Sequence, residues 1–184
     1  MPVPRITPAE APFEASIAES FDRIMPPGIE PLKLFKTMAR NPRIVRRMFA
    51  GSLLDKGTIS LRDREIVILR TCARCKSEYE WGVHVALFAG RARLNEQEIA
   101  ATCDVAHPGA GWPPNEAALI KLVDELHDEA NVSDAAWTDL TQFYTEEQAL
   151  EIIALTGYYH TISFMTNAIR IEPESYAPRF NLAE

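Results

Sequence analysis

Apolar residues recur at helical spacing along most of the chain. Between Leu32 and Leu54 they predict two short amphipathic helices separated by Asn41-Pro42, because proline removes a backbone donor and restricts the residue before it. A long final helix is predicted to begin after Thr145, where Thr-Glu-Glu-Gln has the form of a capping box, and to stop before Pro173. The pattern therefore favours helices in both halves of the chain.

The segment from Ser60 to Gly90 predicts two consecutive helices. Ser60 is followed three residues later by Asp63, which is the pattern of an N-terminal cap, and an apolar run comes next. The β-branched run Ile66-Val67-Ile68 leaves a strand as the alternative. A second helix is predicted over about residues 77–89, closed by Gly90, because glycine adopts the left-handed conformation of a helix end without steric cost.

The complete pattern predicts seven or eight helices and no sheet, which is an all-α fold. A chain of 184 residues suffices for one domain with a sizeable core and is too short for two. Residues 1–31 contain seven prolines and predict an arm with one short helix near Phe13–Met25. Residues 32–184 predict a single helical domain, whose C-terminal helices lie within residues 115–172.

Composition narrows the classes of partner. The chain is 47% hydrophobic and 24% charged, which is typical of a globular protein. A formal charge of -7 argues against a nucleic-acid partner, and the single basic cluster is interpreted as the solvent-exposed face of an amphipathic helix: Arg40, Arg43, Arg46 and Arg47. No stretch approaches the ~20 apolar residues that span a bilayer, and the first residues lack the pattern of a signal peptide. We expect a cytoplasmic protein that acts on a small molecule.

The chemistry-bearing segment runs from Arg64 to His84. Ser77, Glu80 and His84 stand at positions i, i+3 and i+7, so they share one face of the predicted second helix. A carboxylate one turn from an imidazole can hold its ring and its proton, so Glu80 and His84 could work as an acid-base unit.

Glu65 has two interpretations. It lies in an apolar helix, where surroundings of low dielectric are a common way to make a carboxyl usable as an acid or base. Alternatively it faces solvent and pairs with Arg62 or Arg70, which composition alone favours.

These residues resemble the carboxymuconolactone decarboxylase domain over about residues 43–125. The likeness is carried by a capped helix with Glu65 and Leu69, by the string Glu78-Tyr79-Glu80-Trp81-x-x-His84, and by Gly90, Leu94 and the turn 95–99. The resemblance implies an all-α, homo-oligomeric protein, a dimer, trimer or hexamer with sites near its subunit interfaces. It also implies a lyase or hydrolase that needs no cofactor and acts on a small carboxylated or lactone-type substrate.

The same resemblance implies roles for particular side chains. Glu65 and His84 would transfer protons, and Glu80 would orient the ring of His84. Ser77 or Tyr79 would contact the substrate. Trp81 is interpreted from its residue type as a wall of the substrate pocket or a subunit contact, with an ordinary core aromatic residue as the alternative.

The alkylhydroperoxidase D branch of this superfamily carries a Glu followed by Cys-x-x-Cys-x-x-x-His. When its Glu and His are placed on Glu65 and His84, its two cysteines fall on Ser77 and Glu80, which are not thiols. Without a sulfur there, neither a sulfenic acid nor a resolving disulfide can form at those positions. The chain therefore resembles the decarboxylase branch more closely.

Cys72 and Cys75 leave a second hypothesis open, a thiol-dependent peroxidase. They have the spacing of a redox pair, and Arg74 and Lys76 close by would lower the pKa of a thiol. On a continuous helix, however, Cys75 and His84 would face opposite sides, about 180° apart, unless the helix breaks near Cys75. A third hypothesis is a non-catalytic helical oligomer that binds a small ligand.

No metal site is expected from the sequence. The Cys-x-x-Cys pair would need two further ligands, and no second closely spaced pair is found among Cys103, His84, His107 and His127. His127 lies among acidic residues and is interpreted as a surface histidine whose charged form they favour. His160 follows Tyr158 and Tyr159 in the last helix, where an aromatic pair more often serves packing or an interface than a site. His160 is nevertheless a candidate for lining the substrate pocket.

Overall fold

The structure, a computed structural model, describes residues 3–180 and contains nine α-helices and no strand within them. The helices are α1 (Ala15–Ile24), α2 (Lys33–Met38), α3 (Pro42–Ala50), α4 (Leu61–Arg74), α5 (Glu78–His84), α6 (Glu96–Ala101), α7 (Pro114–Glu129), α8 (Asp134–Thr141) and α9 (Glu146–Ile169). The predicted all-α fold is confirmed, with one or two more helices than expected. Across residues 3–180, no helix is both long and apolar enough to cross a membrane.

Helices begin at the polar residues that predicted them. The Ser60 hydroxyl accepts a hydrogen bond from the backbone N–H of Asp63 at the start of α4. Thr145 and Gln148 form a complete capping box at the start of α9. Such caps satisfy backbone donors that have no partner inside the helix, and each contributes about 1 kcal/mol.

Helix α4 is the centre of the molecule. Every residue from Arg64 to Cys72 is buried, and α5, α7 and α9 pack around it. A helix surrounded by other helices buries apolar side chains on all sides, which explains the run Ile66-Val67-Ile68. The strand alternative for this run is wrong, because burial by neighbouring helices outweighs the β propensity of these residues.

The proline-rich arm, with its helix α1, packs together with α2 and α3 against the rest of the domain. Helices α1 to α3 form an apolar cluster of their own that also includes Tyr79, Val83 and Ile162. Four aromatic rings contact one another inside it: Phe13, Phe21, Phe35 and Phe49. This cluster places α1 to α3 over one face of α5 and α9.

The chain breaks between α4 and α5. Lys76 adopts a φ of 54°, in the left-handed region, and the backbone N–H of Ser77 donates to the carbonyl of Cys72. The break separates Cys75 from the helix that carries His84. It also lets α5 fold back against α4, so that side chains of the two helices meet.

Helix α5 continues as a π-helical turn over Val85–Ala89. The prediction that Gly90 ends this segment in a left-handed conformation is wrong, since the φ of Gly90 is -62°. Arg93 takes the left-handed turn instead, with a φ of 56°. The wider turn delays the end of the segment by a few residues, which the spacing of apolar residues does not reveal.

A buried guanidinium ties α4 to α7. Arg70 is fully buried, and its Nε and Nη2 donate to the two carboxylate oxygens of Asp124 at 2.7 and 2.6 Å. Its Nη1 donates to the carbonyls of Thr102 and Asp104 at 3.0 and 2.7 Å. One side chain therefore satisfies a carboxylate and two backbone acceptors in the interior.

Candidate active site

Glu65 and His84 form a buried pair between α4 and α5. Glu65 is 0% exposed and His84 is 3% exposed. The Nδ1 of His84 lies 2.7 Å from Oε2 of Glu65. The two residues meet because α4 is buried on all sides and α5 turns back onto it after the break at Lys76.

The interpretation of Glu65 as a solvent-exposed partner of Arg62 or Arg70 is wrong. Arg62 binds two other carboxylates, Glu98 and Glu116, and Arg70 binds Asp124. The second carboxylate oxygen of Glu65 accepts from Nε and Nη2 of its neighbour Arg64, at 3.1 and 3.0 Å. Both oxygens are thus held in fixed positions.

Tyr159 of α9 faces the other nitrogen of His84. Its hydroxyl oxygen lies 3.0 Å from Nε2, and the two rings meet edge to face. The sequence singled out the adjacent His160 and treated the tyrosines as packing residues, so Tyr159 was missed. Only its burial at 2% exposure beside His84 distinguishes it from any other core aromatic residue.

Glu80 lies within reach of the same nitrogen. Its Oε1 is 3.6 Å from Nε2 of His84, one helical turn away as the spacing predicted. The other oxygen, Oε2, is buried and has no hydrogen-bond partner among residues 3–180. A buried carboxylate oxygen without a partner is a natural acceptor for a ligand donor, because leaving it unpaired costs about 1–3 kcal/mol.

The carboxylates decide the protonation of His84. Burial by itself lowers the pKa of the ring, but the charges and hydrogen bonds of Glu65 and Glu80 outweigh it and raise the pKa from 6.5 to about 9. The ring is therefore an imidazolium at neutral pH. It donates from Nδ1 to Glu65 and presents its second proton to Tyr159 and Glu80.

Phe88 covers this pair on the π-helical turn. Its ring stacks on His84 at 5.1 Å between centroids, and it is only partly buried. The guanidinium groups of Arg64 and Arg91 lie 5.6 and 5.9 Å from the Phe88 ring. The covering side chain is therefore flanked by two positive charges, and π-helical turns of this kind are frequent at functional sites.

The hydrogen bonds of the three predicted substrate contacts go to the protein itself. Ser77 bonds the hydroxyl of Thr166 at 2.8 Å. Tyr79 donates to Glu174, and the Nε1 of Trp81 donates to Thr102. Each of these three side chains joins α5 to another part of the fold.

Neither thiol of the Cys-x-x-Cys pair is activated. Burial and the charge of Glu80 raise the pKa of Cys72, which is fully buried. Burial also raises the pKa of Cys75 and outweighs the charge of Arg74. The expected lowering by nearby basic residues is therefore wrong, because desolvation of the thiolate is the larger effect.

His127 is not the charged surface histidine that the sequence predicted. Burial, the charge of Arg74 and the proximity of His160 lower its pKa, and they outweigh the acidic residues around it. Its Nδ1 lies 3.0 Å from Nε2 of His160, so His160 is paired with a second histidine.

Residues 41–124 match the family model of the carboxymuconolactone decarboxylase family. This part of the chain, a little under half of its length, is therefore similar to the domain of that family. The matched residues include α4, α5 and the π-helical turn, and with them Glu65, Glu80 and His84. Tyr159 lies outside the matched residues and reaches the site from α9.

Solved structures share the fold over almost the whole chain. A peroxidase-related protein from Ralstonia eutropha JMP134, described as an alkylhydroperoxidase AhpD core, is 22% identical, with a TM-score of 0.83 over 95% of this chain and 94% of that one. A peroxidase-related protein from Silicibacter sp. TM1040 is 15% identical, with a TM-score of 0.80 over 98% and 100%. The debrominase Bmp8 is 17% identical, with a TM-score of 0.70 over 93% and 92%. No curated protein sequence matches significantly.

Proposed function

We propose that the protein is a thiol-independent acid-base enzyme that acts on a small carboxylated or lactone-type substrate by lyase or hydrolase chemistry. The observation that supports it best is the buried pair of Glu65 and His84, whose ring holds a proton at neutral pH. A general acid or base of this kind typically contributes 10²–10⁴-fold to a rate.

Each neighbour of His84 has a part in this proposal. Glu65 keeps the Nδ1 proton and so fixes the ring orientation, which leaves the Nε2 proton as the one to be transferred. In a decarboxylation, the bond to the carboxylate carbon breaks, carbon dioxide leaves, and the electron pair left on the substrate takes this proton. Tyr159 and the free oxygen of Glu80 would bind a polar group of the substrate. After the product leaves, a water molecule from solvent returns the proton to Nε2.

The guanidinium groups beside Phe88 favour an anionic substrate. Arg64 and Arg91 flank Phe88, which stacks on His84. A carboxylate that approaches past Phe88 would meet the guanidinium of Arg91, which suits the planar geometry of carboxylates, whereas that of Arg64 is already bound by Glu65. We therefore place the entrance at Phe88.

Replacing Phe88 with alanine should make His84 accessible. Diethyl pyrocarbonate reacts only with the neutral fraction of the ring. At a fixed pH we expect the modification of His84 to be roughly tenfold faster than in the wild type, because the rate also follows the population of open conformers. The measurement is peptide mass spectrometry, with the exposed His107 as internal standard. Leu87→Ala, on the outer face of the same turn, is the matched control. An unchanged rate in Phe88→Ala would show that the entrance lies elsewhere.

The experiment that tests the proposed function separates proton transfer from thiol chemistry. The wild type, Cys72→Ala and His84→Gln are incubated with small carboxylic acids and lactones, and separately with peroxide, while products and free thiols are counted. We expect Cys72→Ala to keep the wild-type rate within about twofold and His84→Gln to lose at least about 100-fold. The thiols should stay reduced.

Two outcomes would overturn this assignment. Rapid loss of two thiols with catalytic consumption of peroxide, abolished by Cys72→Ala, would establish the thiol peroxidase instead. Binding of a carboxylate probe without turnover, with only its affinity changed in His84→Gln, would establish a ligand-binding protein.

A further inference from the structure

We propose that Cys75, His127 and His160 form a metal site that takes Zn²⁺, separate from the pair of Glu65 and His84. The three ligands come from three places in the fold: the C-terminal end of α4, the last turn of α7, and α9. The proposal does not depend on the proposed function, because it rests on side chains that the acid-base chemistry does not use.

The separations between the three side chains suit a tetrahedral ion. The Sγ of Cys75 lies 3.7 Å from Nδ1 of His127, which lies 3.0 Å from Nε2 of His160, and all three atoms fall within 4.8 Å of one another. Zinc bonds of ~2.3 Å to sulfur and ~2.0 Å to nitrogen place a sulfur and a nitrogen about 3.5 Å apart and two nitrogens about 3.3 Å apart. The two contacting pairs therefore need only small adjustments.

Neighbouring groups orient two of the ligands. The Nδ1 of His160 lies 2.9 Å from the carbonyl of Thr156 and donates to it, so the lone pair of Nε2 faces the other two ligands. The side chain of Asn167 donates to the carbonyl of Cys75 at 2.8 Å and holds the end of α4 against α9. Outer contacts of this kind fix the tautomer and position of metal ligands.

The site is open to an ion from solution. All three side chains are partly exposed, so an ion can enter and water can occupy the fourth position. The nearby guanidinium of Arg74 is bound by the carboxylates of Asp124 and Asp128, which offset its charge. An arriving cation therefore meets little net repulsion.

The donor atoms select the class of metal. One thiolate and two imidazoles suit Zn²⁺ and related transition-metal ions, whereas Mg²⁺ and Ca²⁺ require oxygen ligands. The sequence shows no such site, because Cys75, His127 and His160 are far apart along the chain. Folding alone brings them together.

Cobalt is the first probe, since Co²⁺ occupies the same kind of site as Zn²⁺ and absorbs light. Titration of the reduced, metal-free protein with Co²⁺ should give one equivalent of bound metal, with tetrahedral bands and a thiolate-to-cobalt charge-transfer band, and Zn²⁺ should displace it. Cys75→Ser should lose the charge-transfer band. His127→Gln and His160→Gln should each weaken binding more than about 100-fold, which exceeds the usual effect of losing an outer contact.

Matched controls and a wild-type measurement complete the test. Cys103→Ser and His107→Gln replace residues outside the cluster and should bind Co²⁺ as the wild type does. In the unaltered protein, Zn²⁺ should slow the alkylation of Cys75 but not of Cys103, which holds even if a ligand variant fails to fold. The proposal would be overturned if the wild type showed no charge-transfer band, or if all variants bound Co²⁺ with the same affinity. It would also be overturned if Zn²⁺ left the alkylation rate of Cys75 unchanged.

Discussion

Glu65→Gln should lower the pKa of His84 by roughly one to three units and reduce turnover by at least about 100-fold. The amide keeps the size of the side chain but removes the charge that lies 2.7 Å from the ring. Burial then dominates, because only Glu80 remains to favour the imidazolium. Titration of the His84 ring by NMR measures the pKa directly, and Glu98→Gln, whose carboxylate pairs with Arg62, is the matched control.

The same substitution should change how stability depends on pH. In the folded protein the pKa of His84 is raised from 6.5 to about 9, so the folded state binds this proton more tightly than the unfolded chain does. The resulting stabilisation is complete below about pH 6.5 and is lost as the pH rises through about 9. The free energy of unfolding of the wild type should fall by an amount of order 1–3 kcal/mol over that window, and Glu65→Gln should flatten this part of the curve.

The pKa of His84 and the turnover of Glu65→Gln can each contradict the proposed acid-base role of Glu65 and His84. If the His84 ring titrates at the same pH in Glu65→Gln and in the wild type, the carboxylate does not control its protonation. If the pKa falls while turnover is unchanged, the pair is structural and the catalytic proton comes from another group. The Glu98→Gln control shows whether loss of any partly buried carboxylate produces the same effect.

Arg70→Met should destabilise the fold by about 3–5 kcal/mol, the usual effect of breaking a buried ion pair from one side. Methionine fills part of the volume, but Asp124 loses both of its hydrogen bonds from Arg70, and two backbone carbonyls lose their donor. Against a typical total of 5–15 kcal/mol, this loss is large enough to unfold a substantial fraction of the protein. Urea denaturation followed by circular dichroism measures it.

Two further variants show whether the lost free energy of unfolding comes from the buried ion pair of Arg70 and Asp124. Arg46→Met removes an exposed partner of Glu14 and should change the free energy of unfolding by less than about 1 kcal/mol. Asp124→Asn in the Arg70→Met background should recover part of the stability, because it removes a carboxylate charge that then keeps only its longer contact with Arg74. A loss of less than about 1 kcal/mol in Arg70→Met would show that water replaces the guanidinium at little cost.

The helices could be predicted because their signals are local. Ser60 and Thr145 cap the helices that follow them, and Asn41-Pro42 separates α2 from α3 as expected. The pairing of Glu65 with His84 was implied by family resemblance, and the structure places the two side chains in contact. The end of the segment after His84 was mispredicted, because a π-helical turn depends on packing.

Other parts of the site have no local signal. The burial of Glu65 depends on α5, α7 and α9 packing around α4, and composition favoured the opposite interpretation. Tyr159 looks like any core aromatic residue until α9 places its hydroxyl against His84. His127 shows the same limit, since its acidic neighbours in sequence are outweighed by burial and by Arg74 and His160 in space.

The all-α class, the starts of the main helices and the residue types available for acid-base chemistry could thus be predicted from local patterns in the sequence. Those properties depend on capping hydrogen bonds and on the spacing of apolar residues, and both involve residues only a few positions apart in the sequence. Which side chains meet depends on how the helices pack: Tyr159 with His84, Phe88 over the pair, and Cys75 with His127 and His160. The physical reason is that burial and electrostatic interaction act through space, between helices whose packing no local pattern specifies.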